Sequence, residues 1–353
     1  MTIEKLTIRL ILFLVIITLL ILGKPLIVPI VVALLVWMLI DALATKLKSI
    51  KIFEIPLPKW LISLGVILVF SFLLLFFYQV MIIQTDKLVA AAPFYQEKFA
   101  HLIVQLSQLT GLKLDVLVSE LFSNINITEL LAYVADSTQS MLSSVFLVTI
   151  YLAFLFIEQS HAKAKIIALK NLSDRFTLIQ SIFKSSTLLI KRYIRLKSAI
   201  SALTSLLCYL VFVMFDVDFA ELWAISTFLL NFIPNIGSAL AVFFPSILIS
   251  LQFDSLSHIA LIITCLVIIQ FVIGNIIEPA IMGKSLNLSA FMILISLSFW
   301  GFIWGIAGMF LAIPLMVATA ILFSHIDETK WIAILMSADG QLLIEQDNRN
   351  SKT

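Results

Sequence analysis

Apolar residues in this chain come in long unbroken runs, not in the strict alternation of a strand. The runs 8–22, 26–44, 60–83, 139–157, 198–215 and 259–277 each meet or approach the roughly 20 residues of helix that cross a bilayer core. Two more, 221–252 and 288–325, are too long for one crossing and are interrupted. The missing alternation argues against a membrane barrel. The pattern predicts an all-α, polytopic membrane protein with interrupted helices or hairpins in its C-terminal half.

Two amphipathic stretches, 84–138 and 158–197, separate the spans. In the first, Tyr95, Phe99, Leu102, Leu106 and Leu109 recur at steps of four and three, the spacing of a helix that packs on another helix. That neighbour is either the chain's own membrane region or a second subunit, and a homo-oligomer is the expected assembly. In the second, Leu169, Leu172, Phe176, Ile179 and Phe183 share one side among basic residues, which predicts an interfacial helix on anionic headgroups.

Composition sharpens this. Hydrophobic residues make up 61% and charged residues 12%, against about a quarter charged in an ordinary soluble chain. So little polar surface cannot cover a globule in water, and lipid is the expected partner. A net charge of +2 indicates no nucleic-acid partner. Met1–Leu22 carries Lys5 and Arg9 before its apolar stretch, yet no small-residue cleavage site follows, so it reads as a retained first helix. Cys208 and Cys265 lie in apolar runs and form no CxxC pair. His101, His161, His258 and His325 fall near loops or span ends, with no HExxH among them, and neither GxSxG nor a Walker motif occurs. No metal, no cofactor and no enzymatic activity are expected.

Lys and Arg bias sets orientation. Lys46, Lys48, Lys51 and Lys59 mark one cytoplasmic segment, and nine basic residues from Lys163 to Lys197 mark another. The stretch 84–138 and the turn with Asp216, Asp218 and Glu221 are acidic and belong outside. Both termini are then cytoplasmic. Five regions result: a membrane region at 1–83, an extracytoplasmic insert at 84–138, a fourth span with basic interfacial helices at 139–197, a transport core at 198–325, and a cytoplasmic tail at 326–353.

Helix breakers and polar residues at lipid depth are expensive and need a reason. Asn231, Pro234, Asn235 and Gly237 interrupt one apolar region, and Gly301, Gly305, Gly308 and Pro314, with Trp300 and Trp304, interrupt the other. Each region is either a re-entrant hairpin or two crossings. Broken helices of this kind expose backbone groups to a midplane cargo. Between them lie Gln270, Asn275 and Glu278. Glu278 either carries an ion or gates, or else pairs with Lys284 or caps a helix. The two tryptophans either belong to an aromatic belt or stack on a ligand.

The run Tyr193–Ser198, the Ile233–Ser238 break with Pro245, Glu278-Pro279 with Met282-Gly283-Lys284, and Trp300-Gly301 through Pro314 occur in this order. Together they resemble the autoinducer-2 exporter family of bacterial inner-membrane proteins, over about residues 10–330. The wording Gly-Asn-Ile-Ile-Glu-Pro and Asn231 look like the branch that holds the autoinducer-2 exporter itself. The resemblance implies about eight passes, an inner-membrane location and export of a small polar signalling molecule; some members are associated instead with sodium (or lithium)/proton antiport. It points to Asn231, Asn235, Gln270, Asn275, Trp300 and Trp304 for the substrate and Glu278 for the coupling ion. Pro234, Gly237, Gly301, Gly305, Gly308 and Pro314 are the hinge candidates. A sodium(lithium)/proton antiporter and a non-transporting membrane scaffold are the rival functions.

Overall fold

The computed structural model describes residues 3–49, 59–110, 127–170, 175–282 and 287–342. Nearly all are helical, and among them the single β-type pairing is an isolated bridge between Leu288 and Ser337. The protein is a polytopic helical membrane protein: among the described residues five helices are long and apolar enough to span a bilayer, and shorter apolar helices accompany them.

The helices are α1 (Ile3–Leu22), α2 (Lys24–Ser49), α3 (Lys59–Thr110), α4 (Ile127–Lys170) and α5 (Arg175–Met214). They continue as α6 (Ala220–Leu230), α7 (Ile236–Gln252) and α8 (Leu256–Val272), then a π-helical turn (Ile273–Ile277) and α9 (Glu278–Met282). The last are α10 (Ala290–Trp304), α11 (Ile306–Ser324) and α12 (Lys330–Met336). Helix α3 has 52 residues, α4 has 44 and α5 has 40. Each passes without a break from an apolar run into an amphipathic stretch. The junctions at 83–84, 157–158 and 197–198 hold no Gly or Pro, so hydrophobicity changes there while helix propensity does not.

The chain forms two compact units, and the division falls within α3, α4 and α5. The first unit comprises 1–69, 146–196 and 282–353. Its core joins Leu35 and Met38 of α2, Ile190 and Ile194 of α5, and Leu311 and Val317 of α11. Helix α11 is the most deeply buried span. It pairs with α10 through Gly305, whose φ of 68° and ψ of −142° suit a residue without a Cβ. Helix α12 folds back, so that Met336 enters this core and the Ser289 N–H donates to the Met336 carbonyl at 2.9 Å.

The second unit comprises 70–145 and 197–281. Cys208, Phe212, Ile249, Ile262 and Leu266 form its core. Here α6 stops at Leu230, the chain turns through Asn231–Asn235, and α7 starts at Ile236. At 1.5 Å per residue α6 is about 16 Å long, roughly half of a 30 Å bilayer core, so α6 is too short to cross. The outer arm of α3 is tied to this unit: Gln84 donates to Glu221 at 2.9 Å, Tyr95 to Asp218, and Lys98 pairs with Asp254 at 3.0 Å. Tyr95, the first residue of the predicted seam, is buried in its own chain's core. The side chains of Leu102, Leu106 and Leu109 lie outside the described ones. Exposed Phe72, Phe76 and Phe154 present apolar surface of the kind that lipid or another subunit covers.

Candidate functional site

The second unit builds a polar seam along one face of α5. Lys197, Ser201 and Thr204 recur at steps of four and three, which puts them on one side of a helix, and all three are buried. The Lys197 side chain is 3% exposed and its ammonium pairs with Glu278, which is 23% exposed. An ammonium out of water at this depth needs a partner, because the desolvation of a lone ion costs several kcal/mol.

One turn further, the Asn231 amide donates to Ser201 Oγ at 3.1 Å and to Thr204 Oγ1 at 3.4 Å. Ser205 Oγ donates to the Ala224 carbonyl at 2.6 Å, joining α5 to α6. Helix α5 therefore gathers Glu278 and Asn231, 47 positions apart in the sequence, onto one stripe. Four further polar groups of this unit are buried and have no partner among the described residues: Ser71 Oγ, Trp223 Nε1, Thr227 Oγ1 and Gln270 Nε2. An unmet buried polar group costs about 1–3 kcal/mol. Such groups are where a cargo's hydroxyls gain the most.

The break at 231–235 has a steric cause. A Cβ on Gly237 would run into the Leu230 carbonyl, so only glycine lets α7 begin so close to the end of α6. Asn235 takes φ 60° and ψ −52° there, its side chain is exposed, and Pro234 sits beside it, half-buried. On the other limb, the π-helical turn separates Gln270 from Glu278. A wide turn of this type shifts the register of everything after it and recurs at functional sites. Asn275 lies in it, exposed, and its amide returns to the Phe271 carbonyl at 3.1 Å.

The remaining predicted residues belong to the first unit. Trp300 and Trp304 touch with their ring planes tilted by 41° and their centroids 4.7 Å apart. Trp304 is buried at 2% exposure, and its indole N–H donates to the Leu20 carbonyl at 3.0 Å. That side chain fills a core and is not open to a ligand as it stands. Of the hinge candidates, Pro234 and Gly237 lie at the α6–α7 break and Gly305 is the α10–α11 break itself. Gly301 lies inside α10, and Gly308 and Pro314 lie inside α11. Gly308 is a packing contact, since a Cβ there would meet the Trp300 carbonyl. The second interruption thus narrows to one residue.

Lys197 was counted from the sequence with the basic cytoplasmic segment, whereas the structure makes it the seam's buried cation. Lys284, the partner expected for Glu278, lies outside the described residues. Ser201, Thr204 and Thr227 escape a sequence reading because hydroxyls in apolar helices commonly bond their own backbone. The one signal for Ser201 and Thr204 is the Lys-Ser-Thr spacing on α5, and Thr227, on α6, has none. A separate cavity of about 640 Å³, with Asp216, Asp254 and His258 in its lining, lies at the chain connections. Among the described residues no group of three or more His, Cys, Asp or Glu could hold a metal ion.

Comparison with known proteins agrees with this architecture. The AI-2E family transporter model matches residues 10–328. The chain is 34% identical over 209 residues to the AI-2 transport protein TqsA of Escherichia coli, covering 59% of each protein. It is 38% identical over 144 residues to a putative transport protein of Borreliella burgdorferi, covering 40% of this chain and 39% of that one. It is also 32% identical over 175 residues to the putative transport protein YhhT of Escherichia coli, covering 49% of each. The matched stretches span less than two thirds of these relatives.

Proposed function

Because the chain belongs to the AI-2E transporter family, we propose that it exports a small, hydroxyl-rich signalling molecule such as autoinducer-2 across the bacterial inner membrane, coupled to a cation at Glu278. Supporting the cargo is the name of one relative, the AI-2 transport protein TqsA. The observation that carries the mechanism is the buried Lys197–Glu278 pair on the same stripe as Asn231.

Glu278 is paired with a lysine that has no other partner among the described residues. A proton or an alkali ion that reaches the carboxylate competes with Lys197 for it, and the displaced ammonium must find a new acceptor. Cargo hydroxyls supply such acceptors, and they can also meet Thr227 and Gln270, which are unpaired before cargo arrives. Cation and cargo thereby exchange places around one lysine. Asn231 belongs to the same stripe, and Pro234 with Gly237 keeps the helix broken where the two limbs must move. Trp300, Asn235 and Asn275 remain candidates for cargo contacts outside the seam.

The test is flux of labelled autoinducer-2 in proteoliposomes under an imposed proton or sodium gradient. Wild type is expected to follow the gradient and Glu278→Gln to ignore it. Gradient-driven flux that survives Glu278→Gln removes Glu278 from the mechanism. Absence of flux under every gradient favours the scaffold.

A further inference from the structure

The first unit holds its own charged cluster at the ends of apolar helix segments, and the proposed transport site makes no use of it. Asp41 of α2 is met on both oxygens. Lys191 of α5 pairs with Oδ2 at 2.5 Å, and the Gln159 amide of α4 donates to Oδ1 at 2.9 Å. The Trp37 indole N–H donates to Gln159 Oε1 at 3.1 Å, and the Lys191 ammonium lies 5.2 Å from the Trp37 ring centroid. Carboxylate, amide, indole and ammonium close a ring across three helices. The two charged side chains are only about a quarter exposed.

Other charges on the packed elements are occupied or turned away. Glu158 of α4 pairs with Lys165, and His161 beside it is exposed. Arg192 and Arg195 of α5 are exposed, Asp327 and Lys330 pair with each other, and α10 and α11 carry no charge at all. On α1 charges are confined to Glu4, Lys5 and Arg9 in its first turns. Among the described side chains, Lys191 is the cation paired with Asp41.

We infer that Trp37, Asp41 and Gln159 form a second monovalent-cation exchange site, in which Lys191 is a tethered resident that a proton or alkali ion displaces. The two carboxylate oxygens are hard ligands that suit an alkali ion, with Trp37 and the Gln159 amide N–H orienting them, and protonation of the carboxyl serves as well. The lysine leaves on a flexible four-carbon stem, as an arginine held by a two-pronged fork could not readily do. The aromatic face gives a cation a second attraction at low dielectric cost. A fixed staple between three helices could be built from neutral groups, whereas a mostly buried carboxylate and ammonium at the end of an apolar span suit an ion's path. Among the described residues each compact unit then contains one lysine–carboxylate pair with both side chains no more than about a quarter exposed, and α5 supplies both lysines.

This inference rests on transport being cation-coupled, and the experiment separates the two ideas. Full-length protein in liposomes is given labelled autoinducer-2 with a pH gradient alone or a radiosodium gradient alone, and cations moved per cargo are counted. The gradient that drives flux identifies the ion. Asp41→Asn is expected to lower the cation-to-cargo ratio by about half, and Asp41→Glu to restore it. Lys191→Arg keeps the charge and the tie, so a staple would tolerate it; an exchange site would slow, with turnover falling several-fold at unchanged melting temperature. A wild type coupled to neither gradient sinks the proposed function and this site together. A coupled wild type whose ratio is unchanged in Asp41→Asn, with full turnover in Lys191→Arg, overturns the second site alone.

Discussion

Lys197 is the residue on which the seam's energetics turn. With 3% of its side chain exposed, its charge is tolerable only while Glu278 accepts it. Glu278→Gln is therefore expected to lower stability by roughly 3 kcal/mol, the lower range for breaking a buried pair because Glu278 itself is partly exposed. Adding Lys197→Met should recover part of that loss, which a double-mutant cycle of melting temperatures would measure; strictly additive losses would deny the coupling. Two glycines give a matched contrast. A Cβ on Gly237 meets the Leu230 carbonyl, whereas one on Gly274 meets open space. Gly237→Ala should cost about 2 kcal/mol or more by forcing backbone apart. Gly274→Ala should be neutral or slightly stabilising, since alanine restricts the unfolded chain. Equal melting temperatures for the two variants would refute the steric account of the break.

Among elements, the hairpin α10–α11 depends on Gly305 and the outer arm of α3 depends on Tyr95. At φ 68° and ψ −142° any side chain is strained, so Gly305→Ala should destabilise by about 1–3 kcal/mol and loosen the α10–α11 pair, as faster hydrogen exchange in both helices would report. Tyr95 lies beyond the span of α3 (Leu68–Ala91). Burial first, then its hydrogen bond to Asp218 and that carboxylate's charge, push the phenol above its ordinary value of 10.0. The folded state thus holds the proton more tightly than the unfolded chain. The contribution is whole below pH 10 and is lost as pH rises from there toward the folded value. Tyr95→Phe should flatten that alkaline loss while leaving the neutral-pH fold in place; an unchanged alkaline slope would mean the arm is held by other contacts. The sequence reads the continuous helices as alternating spans and surface stretches because apolar content drops at their junctions. Without Gly or Pro there, the backbone has no cause to stop.

Over the whole molecule, two regions that charge bias independently assigns to the outside are the ones the fold joins: the arm at 84–98 and the turns at Asp218, Glu221 and Asp254. Exposed Ser255 sits beside them, so Ser255→Cys is expected to react with an impermeant maleimide in intact cells; labelling only after permeabilisation would invert the orientation. Length and apolarity determined a helical membrane protein, and Asn231-to-Gly237 and Gly305 determined where its helices break, because backbone sterics act between near neighbours. Only the tertiary structure decided that Lys197 takes Glu278, that Lys191 takes Asp41, that Trp304 is core, and that the two interrupted hairpins fall in different compact units. A charge in an apolar helix states a need for a partner without naming it. Residues dozens of positions apart meet through helix packing, which no local pattern records.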